Sequence, residues 1–429
     1  MTLGNIDFGG VDAESDVSLN DYFVTTPYVR SAFEGRRTQF LGRKGSGKSA
    51  LFLQIPRLAK DRDERIVAIS RSPDHYAWAA LSEYKEQMLS SEHAHTNAWK
   101  FTLIIEGASE LIRSGENWRG EAADSAKMFK KFLQDNFETL EPGILKSATS
   151  VLKGISSFNL SAFGFGAGLS REEQARHPVT PHVLSAFVDA LGPMVRQRQL
   201  IISLDRLDDS WDGSEESRSL LVGLLKAAKD LNDRLRGREI ASGLRVNVFL
   251  RSDIYDNLEF DDKDKHRQLE ESIAWSPDLL KEMVNVRLPD GISIEDIFEP
   301  GEMRGSISPF NYIVKRTFLR PREVIQFLDE CVNTSGRDSV EISKDEIRSA
   351  EERYSKWKVD DLRQEFNKAF PDFGRLLECL RQERHRYDSL EDLERLIEKK
   401  DPELFEKYGS RRLLETLFDY SVIGVRIAN

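Results

Sequence analysis

From residue 36 to about 257, short apolar runs alternate with amphipathic helical periods. TQFLG (38–42), RIVAIS (65–70), LIISLD (200–205) and RVNVFLR (245–251) are bounded apolar stretches of strand length. Between them apolar residues return at helical spacing, as in Leu220, Leu221, Leu224, Leu225, Ala228, Leu231 and Leu235. This alternation predicts an α/β fold with a parallel sheet covered on both faces. Residues 107 to about 180 interrupt the rhythm with helical segments. They end in SSFNLSAFGFGAGLS (156–170), where loosely alternating Gly and Phe predict a β-hairpin or a flap.

After residue 300 the strand patterns vanish. PFNYIVKRTFLRPREVIQFLDECV (309–332) predicts one or two helices, and a charge-rich helical tract follows to about 408. The last stretch, GSRRLLETLFDYSVIGVRIAN, predicts a helix followed by a short strand. FPDFGRLLECLRQER, SLEDLERLIEK and SRRLLETLFDY thus have the helix order of a winged helix, with the chain stopping where a wing would begin.

The composition narrows the class. At 429 residues, with 39% hydrophobic and 31% charged residues, the chain has the make-up of a globular protein of more than one domain. A net charge of -11 argues against non-specific coating of nucleic acid, which needs many phosphate-neutralising cations, although a local basic patch stays compatible. Cys331 and Cys379 form no C-x-x-C, so buried or idle thiols are expected rather than disulfides or zinc. No apolar run approaches membrane-spanning length and the start has no leader-like pattern, so no membrane and a cytoplasmic setting are expected.

One stretch carries chemistry. Gly42, Gly47, Lys48 and Ser49 complete G-x-x-x-x-G-K-[S/T], with an apolar strand before it and a helical pattern after it. Glycines at 42, 45 and 47 allow backbone conformations that aim N–H groups at phosphate oxygens, and the following helix adds its positive dipole end. Gly42, Arg43, Lys44, Gly45, Ser46, Gly47, Lys48, Ser49 and Ala50 are therefore expected to bind nucleotide. Lys48 should reach the β and γ phosphates, and Ser49 should ligate Mg2+.

The partner carboxylate is Asp205, at the end of LIISLD, as the second Mg2+ residue. Where many ATPases place the glutamate that activates water, this chain has Arg206, which leaves Asp208 and Asp209 as candidate bases, with Asp208 preferred because related segments keep an acidic residue at that spacing. An ordinary strand-end carboxylate is the plainer alternative for each. Arg251 and Asp253 lie at a third strand end, where Arg251 either senses the γ-phosphate or pairs with Asp253. Arg320 and Arg322 open a helix after Pro321 in the lid region, and Arg322 is the preferred phosphate sensor. The histidines form no H-E-x-x-H, and no nuclease, deaminase or protease constellation is seen.

With these motifs the sequence resembles a bacterial P-loop ATPase family allied to the KAP and STAND NTPases, found in prokaryotic genomic islands and anti-phage defence loci. FGGVDAESD (8–16), DYFVTTPY (21–28), FLGRKGSGKSALF (40–52), LDRLDDSWDGSEESRSLLVGLL (204–225), FLRSDIYDNLEFDDKDKHR (249–267) and FLRPREVIQF (318–327) carry the resemblance. It implies an oligomerising ASCE or AAA-like P-loop core with a helical lid and a winged-helix-like C-terminal α domain. KAP proteins commonly carry membrane helices in the insertion; this chain has none.

The expected division is 1–300 for the ATPase domain with its insertion at about 107–180, 301–342 for the lid, and 343–429 for the C-terminal domain. The expected function is an ATP-binding and ATP-hydrolysing switch that uses Mg2+, forms a homo-oligomer and acts with an effector protein in anti-phage defence. Two alternatives stand beside it. One is a DNA-engaging ATPase using Arg411 and Arg412 of a C-terminal winged helix, against which Glu415 and Asp419 weigh. The other is a nucleotide-bound scaffold that never turns over.

Overall fold

The computed structural model describes residues 2–73, 91–115, 117–143, 147, 160–163, 180–209, 211–239, 241–367, 370–384 and 386–425. Four strands fall on the four apolar runs: β1 (Gln39–Gly42), β2 (Ile66–Arg71), β3 (Gln199–Leu204) and β4 (Leu244–Arg251). A fifth, β5 (Glu270–Ser272), is three polar residues that no apolar pattern announces. All pair in parallel in the order β2-β3-β4-β1-β5, so β4 separates the glycine-loop strand from the Asp205 strand.

The pleat sorts the strand residues between two cores. Phe40, Ile201 and Phe249 face α1 (Pro27–Glu34) and α2 (Lys48–Arg62), where they meet Ala32, Phe33, Phe52 and Ile55. Phe40 and Phe249 are register partners and stack with centroids 4.8 Å apart. Leu41, Leu200, Ile202, Val248 and Leu250 point the other way. Their core is closed by α3 (Ser91–Ser114), α4 (Glu121–Phe137), α5 (Pro181–Gln197) and α6 (Glu215–Arg234). Each such Leu or Phe contributes about 1.5–3 kcal/mol by leaving water, and a parallel sheet needs both faces covered in this way.

The periodic leucines from Leu220 to Leu231 are buried along α6, as the spacing predicts, and Ser214 starts that helix by accepting from the Ser217 N–H. Within the expected insertion, α4 packs Phe129 and Phe132 into the second core with Phe187. The hairpin or flap expected at 156–170 lies mostly outside the described residues. Inside it, Ser161–Phe163 is a 3-10 turn whose Phe163 ring sits 4.4 Å from that of Phe187.

Short helices α7 (Ser252–Asp256) and α8 (Lys263–Arg267) lead from β4 to β5, and α9 (Pro277–Asn285), α10 (Pro309–Arg316) and α11 (Pro321–Ser335) follow. The chain divides into two compact units, residues 5–328 and residues 1–4 with 329–429. The second unit holds α12 (Lys344–Phe366), α13 (Phe373–Cys379), α14 (Leu390–Lys400), α15 (Pro402–Tyr408) and α16 (Ser410–Asp419). Phe366, Phe373, Leu376, Leu393, Ile397, Leu404, Leu413 and Leu417 form its core.

The strand expected after the last helix lies partly outside the described residues. Residues 420–425 run as turn and coil, with Val422 and Ile423 N–H groups bonded back to Leu417, and 426–429 lie outside the described residues. A further helix, α15, also intervenes between the second and third helices of the winged order. Cys331 and Cys379 are free and buried, as expected. Among the described residues no helix is long and apolar enough to cross a membrane.

Candidate functional site

The C-terminal ends of β1, β3 and β4 meet at one cleft of about 260 Å³, lined by Lys44–Ala50, Asp205, Asp208, Asp209, Arg251 and Arg322 together with residues of the N-terminal segment. Ligands of parallel α/β sheets bind at such strand ends. The loop between β1 and α2 takes the shape that its glycines permit. Gly45 and Gly47 have φ of 78° and 90°, in the left-handed region that side chains disfavour. A Cβ on Gly42 would stand 2.3 Å from Ser46 Oγ.

Lys48 opens α2 and folds back over the loop, its Nζ donating to the Gly42 carbonyl at 2.7 Å and to that of Arg43 at 3.1 Å. Burial pushes its ammonium below the ordinary lysine range, and Asp205 and Asp208 oppose that shift. One residue on, Ser49 Oγ donates to Asp205 Oδ2 at 2.7 Å. The two motifs thus touch through the pair expected to share a cation. Asp205 is buried, and burial pushes its pKa up to about 6 against the Ser49 hydrogen bond and the Lys48 charge.

A hydroxyl beside a carboxylate is the hard oxygen donor set that suits Mg2+. A buried carboxylate whose charged form is disfavoured also gains from a cation. Ser49 and Asp205 therefore fit the ion that the motif implies.

Beyond Asp205 the chain turns sharply. Arg206 sits at φ 62°, at a cost of about 1 kcal/mol for a residue with a side chain. Its Nε donates to Asp209 Oδ2 at 3.0 Å on the exposed side. The turn brings Asp208 back to the cleft, 3.8 Å from Arg251 Nη1. Arg251 is the register partner of Gly42, which fixes it beside the loop, and it holds Asp253 through two bonds of 3.2 and 2.7 Å. Of the two uses foreseen for Arg251, the pairing with Asp253 is present, and the guanidinium also lines the cleft.

The two lid arginines part company. Arg320 is spent on Glu323 at 3.0 Å, with both side chains nearly buried. Arg322 lies against the loop: its N–H donates to Gly45 O at 3.4 Å and its Nη2 meets Asp12 Oδ1 at 3.1 Å. Its Nε is buried with no partner among the described residues.

Residues 278–363 match the model of the FunZ-associated C-terminal helical domain. That span runs from α9 into α12. Over nearly the whole chain, 98% of it, the sequence is 24% identical to a protein of Escherichia coli (strain K12) named "Putative transposon gamma-delta 80.3 kDa protein". The chain spans 62% of that relative's length. Among solved structures, the Aeropyrum pernix ORC1 protein in complex with DNA aligns over 94% of this chain and 82% of its own, at a TM-score of 0.36 and 14% identity.

Part of the lining of the cleft is one that the motifs did not reveal. Gly10–Glu14, Asp16, Tyr22 and Tyr28 line it, with Trp275 and Arg287. Residues 5–24 carry five carboxylates and neither lysine nor arginine. Two cations from elsewhere lie against this segment. Arg322 takes Asp12, and Arg287 lies 4.2 Å over the ring of Tyr22, whose hydroxyl donates to Asp16.

A spacing that sequence reasoning overlooked, His93-x-His95, places His95 in the core with Nδ1 3.0 Å from Ser219 Oγ, and no cluster of three metal-ligating side chains occurs among the described residues. In the other unit, Arg411 pairs with Glu415 at 2.7 Å and Arg412 lies 5.3 Å over Tyr408.

Proposed function

We propose that the protein is an Mg2+-dependent ATP-binding and ATP-hydrolysing switch. The Ser49–Asp205 hydrogen bond carries this most directly, because it joins the phosphate loop to the strand-end carboxylate with Lys48 alongside. Mg2+ held by Ser49 and Asp205 would supply charge neutralisation on the phosphates. The residues of the chain do the rest. The loop N–H groups and Lys48 bind the phosphates, with Lys48 exchanging two carbonyls for phosphate oxygens. Asp208 orients the attacking water, and Arg251 draws off developing charge.

The sheet order, with β4 between β1 and β3, supports an ASCE-type core, with 301–342 as a lid that brings Arg322 to the loop. The motif resemblance supports the assignment to an anti-phage defence system acting with an effector, and to assembly of several copies. The transposon protein in the comparison supports a place on mobile genetic elements. Calorimetry with ATP and Mg2+, together with phosphate release, tests the core of the proposal. Mg2+-dependent binding with slow turnover is expected; absence of binding overturns it. Light scattering with and without ATP tests assembly.

Two site predictions follow from the geometry. Asp208 faces Arg251 in the cleft, whereas Asp209 is occupied by Arg206. Asp208→Asn should therefore lower phosphate release by at least about tenfold with ATP still bound, the scale for losing a general base or water-orienting group. Asp209→Asn should leave it largely intact, and the reverse result would move the role one residue. Arg322→Ala should weaken the response to ATP while ADP binding stays close to wild type, as competitive titration of the two nucleotides would read out. Equal loss of both would remove Arg322 from the γ-phosphate.

A further inference from the structure

We propose, building on the nucleotide-binding function above, that Trp275 is a positioning residue for the phosphate loop, holding the Ser46–Gly47 peptide in the orientation that offers the Gly47 N–H to a phosphate oxygen. The indole Nε1 donates to Ser46 O at 2.8 Å. Its ring also lies over the loop, since a Cβ built on Gly47 would meet Trp275 Cζ2 at 3.6 Å. The C=O of Ser46 and the N–H of Gly47 belong to one planar trans peptide and point in opposite directions. Pinning the carbonyl on the indole therefore fixes the N–H on the far side.

That peptide needs fixing. Gly45 and Gly47 both sit at positive φ, and glycine populates either sign of φ about equally, so the unit between them is free to flip. A flipped peptide would turn a carbonyl oxygen towards an anion.

The indole is mounted on the sheet rather than on the loop. Trp275 follows β5, the strand hydrogen-bonded to β1, and the Ile273 N–H extends that ladder to Leu41 O at 2.7 Å. The Tyr28 hydroxyl then clasps Ala274 at both backbone groups, donating to its carbonyl at 2.5 Å and accepting from its N–H at 2.9 Å. β5 has no apolar pattern of its own, and carrying Trp275 to the loop gives it a purpose. The indole also lines the cleft, so a bound nucleotide changes its surroundings.

Trp275→Phe keeps a ring and removes the donor. ATP and ADP affinities, measured by calorimetry with Mg2+, should both fall by the same factor of about ten, the scale of one net hydrogen bond. In turnover the loss should appear in KM rather than in kcat. A spectroscopic readout does not depend on the stability of the variant. In wild-type protein labelled with 5-fluorotryptophan, the one of six 19F resonances that belongs to Trp275 should shift on saturation with Mg2+ and ADP. It is assigned by its loss in Trp275→Phe or, if that variant does not fold, in Trp275→Tyr. Wild-type affinities in the variant, a loss confined to ATP, or an unmoved Trp275 resonance would each overturn the inference while leaving the ATPase proposal intact. Failure of the wild type to bind either nucleotide would overturn both.

Discussion

Lys48→Ala should abolish the stabilisation of the protein by ATP. At about 100 times its dissociation constant a ligand that binds only the folded state adds about 2.7 kcal/mol, so the wild type should show a clear rise in melting temperature with ATP and Mg2+. The variant should show none. Lys48 Nζ already sits inside the cleft on the Gly42 and Arg43 carbonyls, so a phosphate oxygen has only to take their place. A unit charge pair at 4 Å is worth about 4 kcal/mol at an effective dielectric near 20. Scanning fluorimetry with and without nucleotide decides it: a variant that keeps the full shift would remove the glycine loop from phosphate binding.

Asp205→Asn should have the opposite effect on the nucleotide-free chain and make it more stable at neutral pH. The buried carboxylate has its pKa raised from 3.8 to about 6. Between those values the folded chain keeps a proton that the unfolded chain has released, so the contribution of this group is greatest below about pH 4 and is lost as pH rises to about 6. At 1.36 kcal/mol per unit, the ionised carboxylate costs the metal-free fold about 3 kcal/mol at pH 7. Asparagine mimics the protonated form without that cost. In chelator-containing buffer the two proteins should be nearly equal near pH 4, and the variant should pull ahead by pH 7, while its nucleotide binding loses its dependence on Mg2+. A variant less stable than wild type at pH 7 would show that the carboxylate contributes structurally, and the buried-charge account would fail. As proposed, a carboxylate kept for Mg2+ that destabilises its own fold trades stability for activity.

The legible parts of this molecule are those that rest on local rules. Four strands were readable because each is a short apolar run that enters a core on both faces. The glycine loop between β1 and α2 was readable because its signal is contiguous: the glycines, Lys48 and Ser49 fall within eight consecutive positions. β5 was not readable, since Glu270, Glu271 and Ser272 form a strand only by pairing with β1. The acidic wall at 5–24 and Trp275 were missed for a similar reason. Their roles come from contacts across most of the unit, such as Asp12 with Arg322 and Trp275 with Ser46. FGGVDAESD carried family resemblance without disclosing a use. The preference for Arg322 and for Asp208 comes from the motifs, and the structure adds that Arg320 pairs with Glu323 and Asp209 with Arg206.

That turn bears on how this chain can change. Residue 206 is where many ATPases carry a glutamate, and installing one there is the obvious way to speed the hydrolysis proposed above. With φ at 62° the side chain at 206 is directed to Asp209 on the exposed side. A carboxylate in the slot of the guanidinium would face a second carboxylate instead of ordering water, and like charges at that spacing repel. On the proposed ATPase reading, the mutational path to faster hydrolysis thus runs through the backbone of the turn after β3, and a single-residue exchange at 206 leads away from it.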